Sequence, residues 1–343
     1  RLCFSGDIGP GGRDYADDPE GPTGVDHLIL ESTYGDVERR VIGRAERRRA
    51  LAEEMRAAHA AGGPLLIPAF AVERTQELIV DLLDLMEANE APPGQIFLDS
   101  PLAIRASEVF LEHGQLDDGD HPFARLRQSR WLHFTESAGE SRAIERFKGW
   151  RVIIAASGMC DAGRVRHHLK RLLWWQEATV LLVGFQAIGT LGRLLQEGRQ
   201  RVRIQGDEIK VRARVRSLDV YSGHADANGL VDWAKGRGPI GGSIFLAHGE
   251  PPNLAGLRRR LAAVDAAEGK ILIAELDQSY RLRAAQAGKQ EEGPAPRIEP
   301  KAVSRLDWHN ARADFLSALQ DTLEAAADDA AREAILRDLK ARL

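Results

Sequence analysis

The chain has 343 residues, 43% of them hydrophobic and 29% charged, with a formal net charge of −4. This length suggests about two globular domains, and the negative balance excludes a general nucleic-acid magnet, so any such binding must use a local patch. No apolar run approaches the roughly 20 residues of a membrane span, and two cysteines, Cys3 and Cys160, give no disulfide framework, so a reducing, cytoplasmic setting is expected.

The chain opens at Arg1 inside a strand-like run, Leu2-Cys3-Phe4, and an upstream segment is expected. A turn follows, Ser5-Gly6-Asp7-Ile8-Gly9, then a Pro/Gly-rich loop over residues 10–24. His27-Leu28-Ile29-Leu30 reads as a second buried strand ending in Glu31-Ser32-Thr33-Tyr34-Gly35-Asp36. A carboxylate at the end of an apolar strand is an unfavourable charge unless paired, so a partner is expected for Glu31, with a solvent-facing strand end as the plain alternative.

Helix patterns over Arg44–Ala61 and Glu73–Glu87 flank a short strand at Leu65-Leu66-Ile67. Ile96-Phe97-Leu98 is the next strand, followed by a helix from Leu102 and a polar loop over 114–122. Further strands are expected at Trp131–Phe134, Val152–Ala155 and Thr179–Val183, each followed by a helix pattern. Such alternation implies a parallel sheet with helices on both faces.

The turns after these strands are Pro68-Ala69-Phe70, Asp99-Ser100-Pro101, Ser157-Gly158-Met159 and Gly184-Phe185-Gln186. All belong at one sheet edge and, on this reading, at helix N-termini, where free N–H groups favour phosphate. Phe70 and Phe185 would stack on unpaired bases. The plain alternative is that small residues merely make tight turns.

Two basic clusters stand out. Arg39, Arg40, Arg44, Arg47, Arg48 and Arg49 lie early; residues 193–216 hold eight basic residues against three acids. Arg212 and Arg214 in the second cluster are candidates for backbone contacts, although a charge run is usually a solvated face. In Arg166-His167-His168 adjacent helical residues point apart, which argues against a metal pair.

The richest stretch is Tyr221–Glu250. It holds Ser222-Gly223-His224-Ala225-Asp226, a short helix pattern, a buried strand at Ser243–Leu246, and Ala247-His248-Gly249-Glu250. A single strand-end histidine is commonly structural; two, alongside Asp7 and Glu31, are more specific. A helix pattern over 254–267 and a strand over Lys270–Ile273 follow. Residues 286–301 read as a polar linker. Over 302–343, Trp308, Phe315, Leu316, Leu319, Leu323, Ile335, Leu336, Leu339 and Leu343 recur at helical spacing, a docking or dimerisation tail.

Taken in order, Phe4-Ser5-Gly6-Asp7, Glu31 to Asp36, Ser222 to Asp226 and Ala247 to Glu250 resemble the motifs of metallo-β-lactamase-fold nucleases with a β-CASP domain, of the bacterial and archaeal RNA-processing type. The likeness covers about residues 1–280. It implies an α/β fold: the C-terminal part of a metallo-β-lactamase αββα domain (1–36, returning at 206–285), an inserted parallel-sheet β-CASP domain (37–205), and a linker with a helical tail (286–343).

Phosphodiester hydrolysis needs a nucleophile, charge neutralisation at the phosphoryl oxygens and a proton for the leaving oxygen; two Zn²⁺ ions supply the first two. The resemblance implies that Asp7 bridges the zincs and His248 ligates one. It implies that His224 is the general acid and that Glu31 orients it. The turns carrying Phe70, Ser100, Ser157, Gly158, Phe185 and Gln186 would line a single-stranded RNA groove. In the DNA-repair branch of this family the position of His248 is typically valine, so histidine points to RNA.

The family also carries an upstream HxHxDH motif, whereas no histidine precedes His27 here. A C-terminal part of a longer zinc-dependent ribonuclease, inactive by itself, is therefore expected. The competing readings are a non-catalytic RNA-binding scaffold and a DNA nuclease of the same fold.

Overall fold

The computed structural model describes residues 1–13, 18–39, 43–114, 123, 126–264, 270–291, 319, 322–323 and 326–342. The expected loop at 115–122, Arg40, and Trp308, Phe315, Leu316 and Leu343 of the tail lie outside them. Among the described residues no helix is long and apolar enough to cross a membrane. Cys3 and Cys160 are both free and buried.

Two parallel sheets organise the chain. The smaller contains β1 (Leu2–Phe4), β2 (His27–Glu31), β11 (Ile244–Ala247) and β12 (Ile271–Ile273), in the order β1-β2-β11-β12. Leu28, Leu30, Ile244 and Leu246 pack on α7 (Ala227–Lys235) and α8 (Pro251–Val264) through Leu230, Val231, Leu257 and Leu261. The larger contains β3 (Leu65–Pro68), β4 (Gln95–Leu98), β5 (Leu132–Phe134), β6 (Arg151–Ala155), β7 (Thr179–Leu182) and β10 (Arg214–Ser217), in the order β10-β7-β3-β6-β4-β5. Its strand pairs are all parallel; outside it β8 (Arg201–Ile204) pairs antiparallel with β9 (Asp207–Lys210), and a short helix α4 (Ala138–Ala143) follows β5.

Alternation along the buried strands supplies both layers of the larger half. Leu65, Ile67, Val152 and Ile154 face one core with α1 (Arg44–Ala61), α2 (Arg74–Glu87) and α3 (Pro101–Gly114). Leu66, Ile153 and Ala155 face the other, with α5 (Val165–Leu172) and α6 (Leu191–Gln196). Helices thus cover both faces, as the alternating pattern implies.

Three features differ from the sequence expectation. The sheet does not end before 206: β10 pairs with β7 from Arg214 to Ser217, because its Val215 faces the second core. The segment read as a polar linker from Gln286 begins as a strand. β14 (Gln286–Glu291) pairs antiparallel with β13 (Ser279–Arg283), and this hairpin covers Phe245, whose ring meets Tyr280 at 4.9 Å. Alternating polar residues hid that strand because one face of the hairpin is wet. The early arginine cluster is not a free patch either. Arg47 is buried and pairs with Glu77 and Asp81, Arg48 pairs with Asp81, and Arg44 with Asp84.

The turn at Asp99 is held by a buried network. Asp99 accepts from His168 Nε2 at 2.7 Å, Arg164 Nη1 at 2.7 Å, Thr135 Oγ1 at 2.8 Å and Ser141 Oγ at 2.6 Å. His168 thus holds the Asp99 turn, one of the two roles, structural or substrate-contacting, that its place in the Arg-His-His run left open. Burial pushes the Asp99 carboxyl up, but these donors outweigh it and hold it at about 2. A lowered carboxyl contributes stability that is complete above its ordinary value of 3.8 and drains as pH falls to about 2. Asp99→Asn should therefore destabilise the fold by about 1–3 kcal/mol at pH 7. In urea melts, its gap from the parent should narrow as pH drops through that window; a constant gap would show that the charge of Asp99 does not matter.

Candidate metal and phosphate site

The functional side chains converge at the C-terminal edge of the smaller sheet. Asp7 follows β1, Glu31 ends β2 and His248 follows β11, so parallel register brings all three to one rim. Ala247 lies directly beside Glu31 in that register. His248 takes φ of 51°, a strained conformation for a residue with a Cβ, and its carbonyl accepts from Ser32 N at 3.2 Å. Gly249 must be glycine: a Cβ there would sit 2.6 Å from the Ser32 carbonyl oxygen.

Glu31 is 3% exposed and has the partner its position demanded. His224 Nδ1 donates to its Oε2 at 2.9 Å, and the Ile8 N–H donates to its Oε1 at 2.5 Å. Burial pushes the Glu31 carboxyl up, but the His224 bond and charge, with Thr33 and the Ile8 amide, hold it below the usual range. Glu31 is therefore an ionised carboxylate that fixes the His224 tautomer and leaves Nε2 free. The His224 loop is fixed in turn: Ala225 N donates to Ile8 O at 2.6 Å, and Arg39 donates to the His224 carbonyl.

Asp7, His224 and His248 each offer a ligand atom within 4.8 Å of the others, the one such group among the described residues. His248 Nδ1 lies 3.7 Å from Asp7 Oδ1, and both side chains are mostly exposed. The His224 and His248 rings are 5.7 Å apart. One carboxylate and neutral imidazoles suit zinc, but they fill only part of the four positions that zinc normally takes.

The structure sorts the remaining predicted residues. Phe70 is 39% exposed and packs on Gly158, where a Cβ would lie 2.7 Å from its ring, so these two are brought together. Phe185 stands edge-on to Tyr34, with centroids 5.5 Å apart, and Tyr34 in turn meets the His224 ring at 6.4 Å. Ser100 is buried and its Oγ caps α3 by accepting from Ala103 N at 3.3 Å. Gln186 is also buried, donating to the Gly158 and Gly184 carbonyls. Ser157 closes its own loop, with N–H to Ala162 O at 3.0 Å. That loop does not open α5, which starts at Val165, and α6 starts at Leu191 with Thr190 as its cap, so these two turns are not helix N-termini.

Arg212 and Arg214 lie at the opposite edge of the larger sheet. Arg214 pairs in register with Thr179, the first residue of β7, and its guanidinium donates to Ala57 O and Thr179 Oγ1.

Sequence reasoning passed over several site residues. Thr33 Oγ1 lies 3.3 Å from His248 Nδ1. Tyr34 donates to Asp219 at 3.1 Å; burial and the Asp219 charge push its phenol up to about 12, so it is neutral. Arg39 stacks on Tyr34, 4.1 Å from its centroid. Glu250 accepts from Ile188 N at 3.0 Å, tying the two halves together. Thr33, Tyr34 and Glu250 stand inside the motifs quoted above, but only folding reveals their partners.

Family models match two stretches: one described as a Beta-Casp domain over residues 75–195, the other as a Zn-dependent metallo-hydrolase RNA specificity domain over 208–272. The chain belongs to the β-CASP family of metallo-β-lactamase-fold proteins. It is 35% identical over 270 residues to Ribonuclease TTHA0252 of Thermus thermophilus, covering 76% of this chain and 60% of that protein. Transcription termination factor FttA of Pyrococcus abyssi is 31% identical, over 66% of this chain and 36% of the relative. An RNase J-like protein of Methanocaldococcus jannaschii is 29% identical, over 73% and 58%. The chain thus spans between about a third and three fifths of the length of these relatives. A metal cofactor accords with the second match, and the Beta-Casp stretch supplies Phe185, whose ring meets Tyr34 beside His224.

With three donors in the cluster, this chain by itself should retain substoichiometric zinc after dialysis, read by elemental analysis. Two firmly held zinc ions per chain would require donors beyond Asp7, His224 and His248.

Proposed function

We propose that this chain contributes the general acid, part of the metal shell and the RNA groove of a zinc-dependent ribonuclease that hydrolyses phosphodiester bonds. The observation that carries this reading is the bond at 2.9 Å between His224 and the buried carboxylate of Glu31, set beside Asp7 and His248. An imidazole held so, with its other nitrogen at an open rim, is built to pass a proton near neutral pH.

Asp7 and His248 would hold metal, two zinc ions in the complete site, which supply a nucleophile at neutral pH and neutralise the phosphoryl oxygens. His224, with Nδ1 on Glu31, gives its Nε2 proton to the leaving oxygen. Thr33 and the strained turn at His248 fix that imidazole's orientation. Phe185 and Phe70 line the approach and stack on bases of a single strand. The names of the relatives and the RNA specificity description support RNA over DNA.

In the longest natural form of the protein, His224→Ala should lower kcat by about 10²–10⁴-fold with metal content unchanged. Glu31→Gln should cost less, because the amide still accepts the Nδ1–H bond but carries no charge. His248→Ala should lower metal occupancy. One observation favours a second role for His224: its ligand atom lies within the metal cluster. Loss of metal in His224→Ala would establish that role and end the general-acid assignment.

We also propose that the tail joins two copies. Among the described residues α9 (Asp329–Arg342) buries none of its side chains, with Ile335, Leu336 and Leu339 along it. Deleting 302–343 should halve the mass in solution, read by light scattering, and leave RNA cleavage intact. An unchanged mass would reject the dimer.

A further inference from the structure

A second cleft, of about 450 Å³, lies at the edge of the larger sheet opposite the metal site. It is framed by the end of α1 at His59, by Gly62 to Pro64 before β3, by Phe147 to Trp150 before β6, and by Trp175 before β7. β6 spans roughly 15 Å at ~3.3 Å per residue, so this cleft is separate from the groove at the strands' other ends.

Arg151 opens β6, lines the cleft and is 6% exposed. Its Nη1 donates to the carbonyls of Phe147 at 2.9 Å and Gly149 at 3.4 Å, and its Nε makes no hydrogen bond among the described residues. No carboxylate among the described residues pairs with it: burial alone pushes the guanidinium down, and no neighbouring charge offsets this. Arg47 shows the contrast, being equally buried but pairing with both Glu77 and Asp81. A buried cation without a counter-charge is costly and calls for an anion from outside.

The surroundings specify which anion. Glu145, the carboxylate on the cleft wall, is taken by Arg171. Lys148 stands exposed at the rim and adds a second cation. Trp150 is fixed by its Nε1 bond to Pro92 O at 3.3 Å and by the His59 ring, edge-on at 5.3 Å. Trp175 completes an aromatic wall, half-buried and half open. A fixed guanidinium, a mobile ammonium and indole faces are the chemistry of phosphate plus nucleobase.

We propose that this cleft binds a nucleotide unit, with phosphate on Arg151 and Lys148 and the base against the tryptophan wall. The volume lies within the ordinary range for a small-ligand pocket. Arg212, exposed at the same edge, extends the cationic surface away from the cleft. An RNA strand and a free mononucleotide share this chemistry; the strand as source rests on the ribonuclease reading, whereas the nucleotide site does not.

The test measures binding, not cleavage, by tryptophan fluorescence of the full chain titrated with AMP, adenosine and a 12-nucleotide single-stranded RNA. AMP should quench saturably, and adenosine should bind roughly tenfold or more weakly, the loss of a charge-assisted contact. Arg151→Met and Lys148→Glu should each weaken AMP by a similar factor, while His224→Ala leaves it unchanged. Lys148→Glu, at an exposed position, keeps the test decisive if Arg151→Met fails to fold. RNA binding more tightly than AMP through the same two residues marks a strand as the source; AMP binding as tightly marks a free nucleotide. Either supports the site. Absence of AMP quenching, equal affinity for adenosine, or an unaltered affinity in Lys148→Glu overturns it, whatever the outcome for cleavage at His224.

Discussion

A carboxylate as buried as Glu31 persists only with hydrogen-bonded partners, and the partners it takes join distant parts of the chain. It receives the Ile8 amide from the loop after β1 and the His224 imidazole from the loop before α7. Its own strand pairs with β11, which delivers His248. One side chain thus sets the spacing of Asp7, His224 and His248. Replacing it by an apolar residue would free the His224 ring and leave the Ile8 N–H without its acceptor.

The same region is anchored to the inserted half. Arg74 Nε donates to the Tyr221 carbonyl at 2.6 Å, and the Tyr221 hydroxyl donates to Asp81 at 2.8 Å. Arg13 bridges Glu77 and the Ser222 carbonyl. Such buried ion networks add little net stability over apolar packing, but losing one member strands the rest. Their consequence here is positional: the residues leading into His224 are tied to α2, and Glu250 ties the turn after His248 to Ile188. The His224 and His248 imidazoles are therefore fixed against both halves of the molecule.

The larger sheet presents different chemistry at its two ends. Its C-terminal edge carries the loops of Phe70, Gly158 and Phe185 toward the histidines. Its N-terminal edge carries Arg151, Arg212, Arg214 and the tryptophans. Parallel strands produce this polarity, because every loop that follows a strand lies at one end and every loop that precedes one lies at the other.

Much of this was determined by local sequence. Apolar runs such as Leu65-Leu66-Ile67 and Val152–Ala155, short and followed by turn residues, read as strands buried on both faces, and the helix patterns between them imply parallel pairing. Glu31 announced a partner because its charge ends an apolar strand, and the order of short motifs placed Asp7, His224 and His248 in one family. What needed the tertiary structure was everything that depends on pairing across distance. Arg47 and Arg151 look alike in the sequence, yet among the described residues one meets two carboxylates and the other meets none. Arg212 and Arg214 read as candidates for backbone contacts with no position attached, and only strand register put Arg214 at the edge away from the histidines. Gln286–Glu291 read as a linker because its polarity reflects a hairpin wet on one face, and its covering of Phe245 is invisible locally. Charge and periodicity are properties of a segment, but whether a charge is neutralised, and which edge it occupies, is decided only when segments far apart in sequence come into contact.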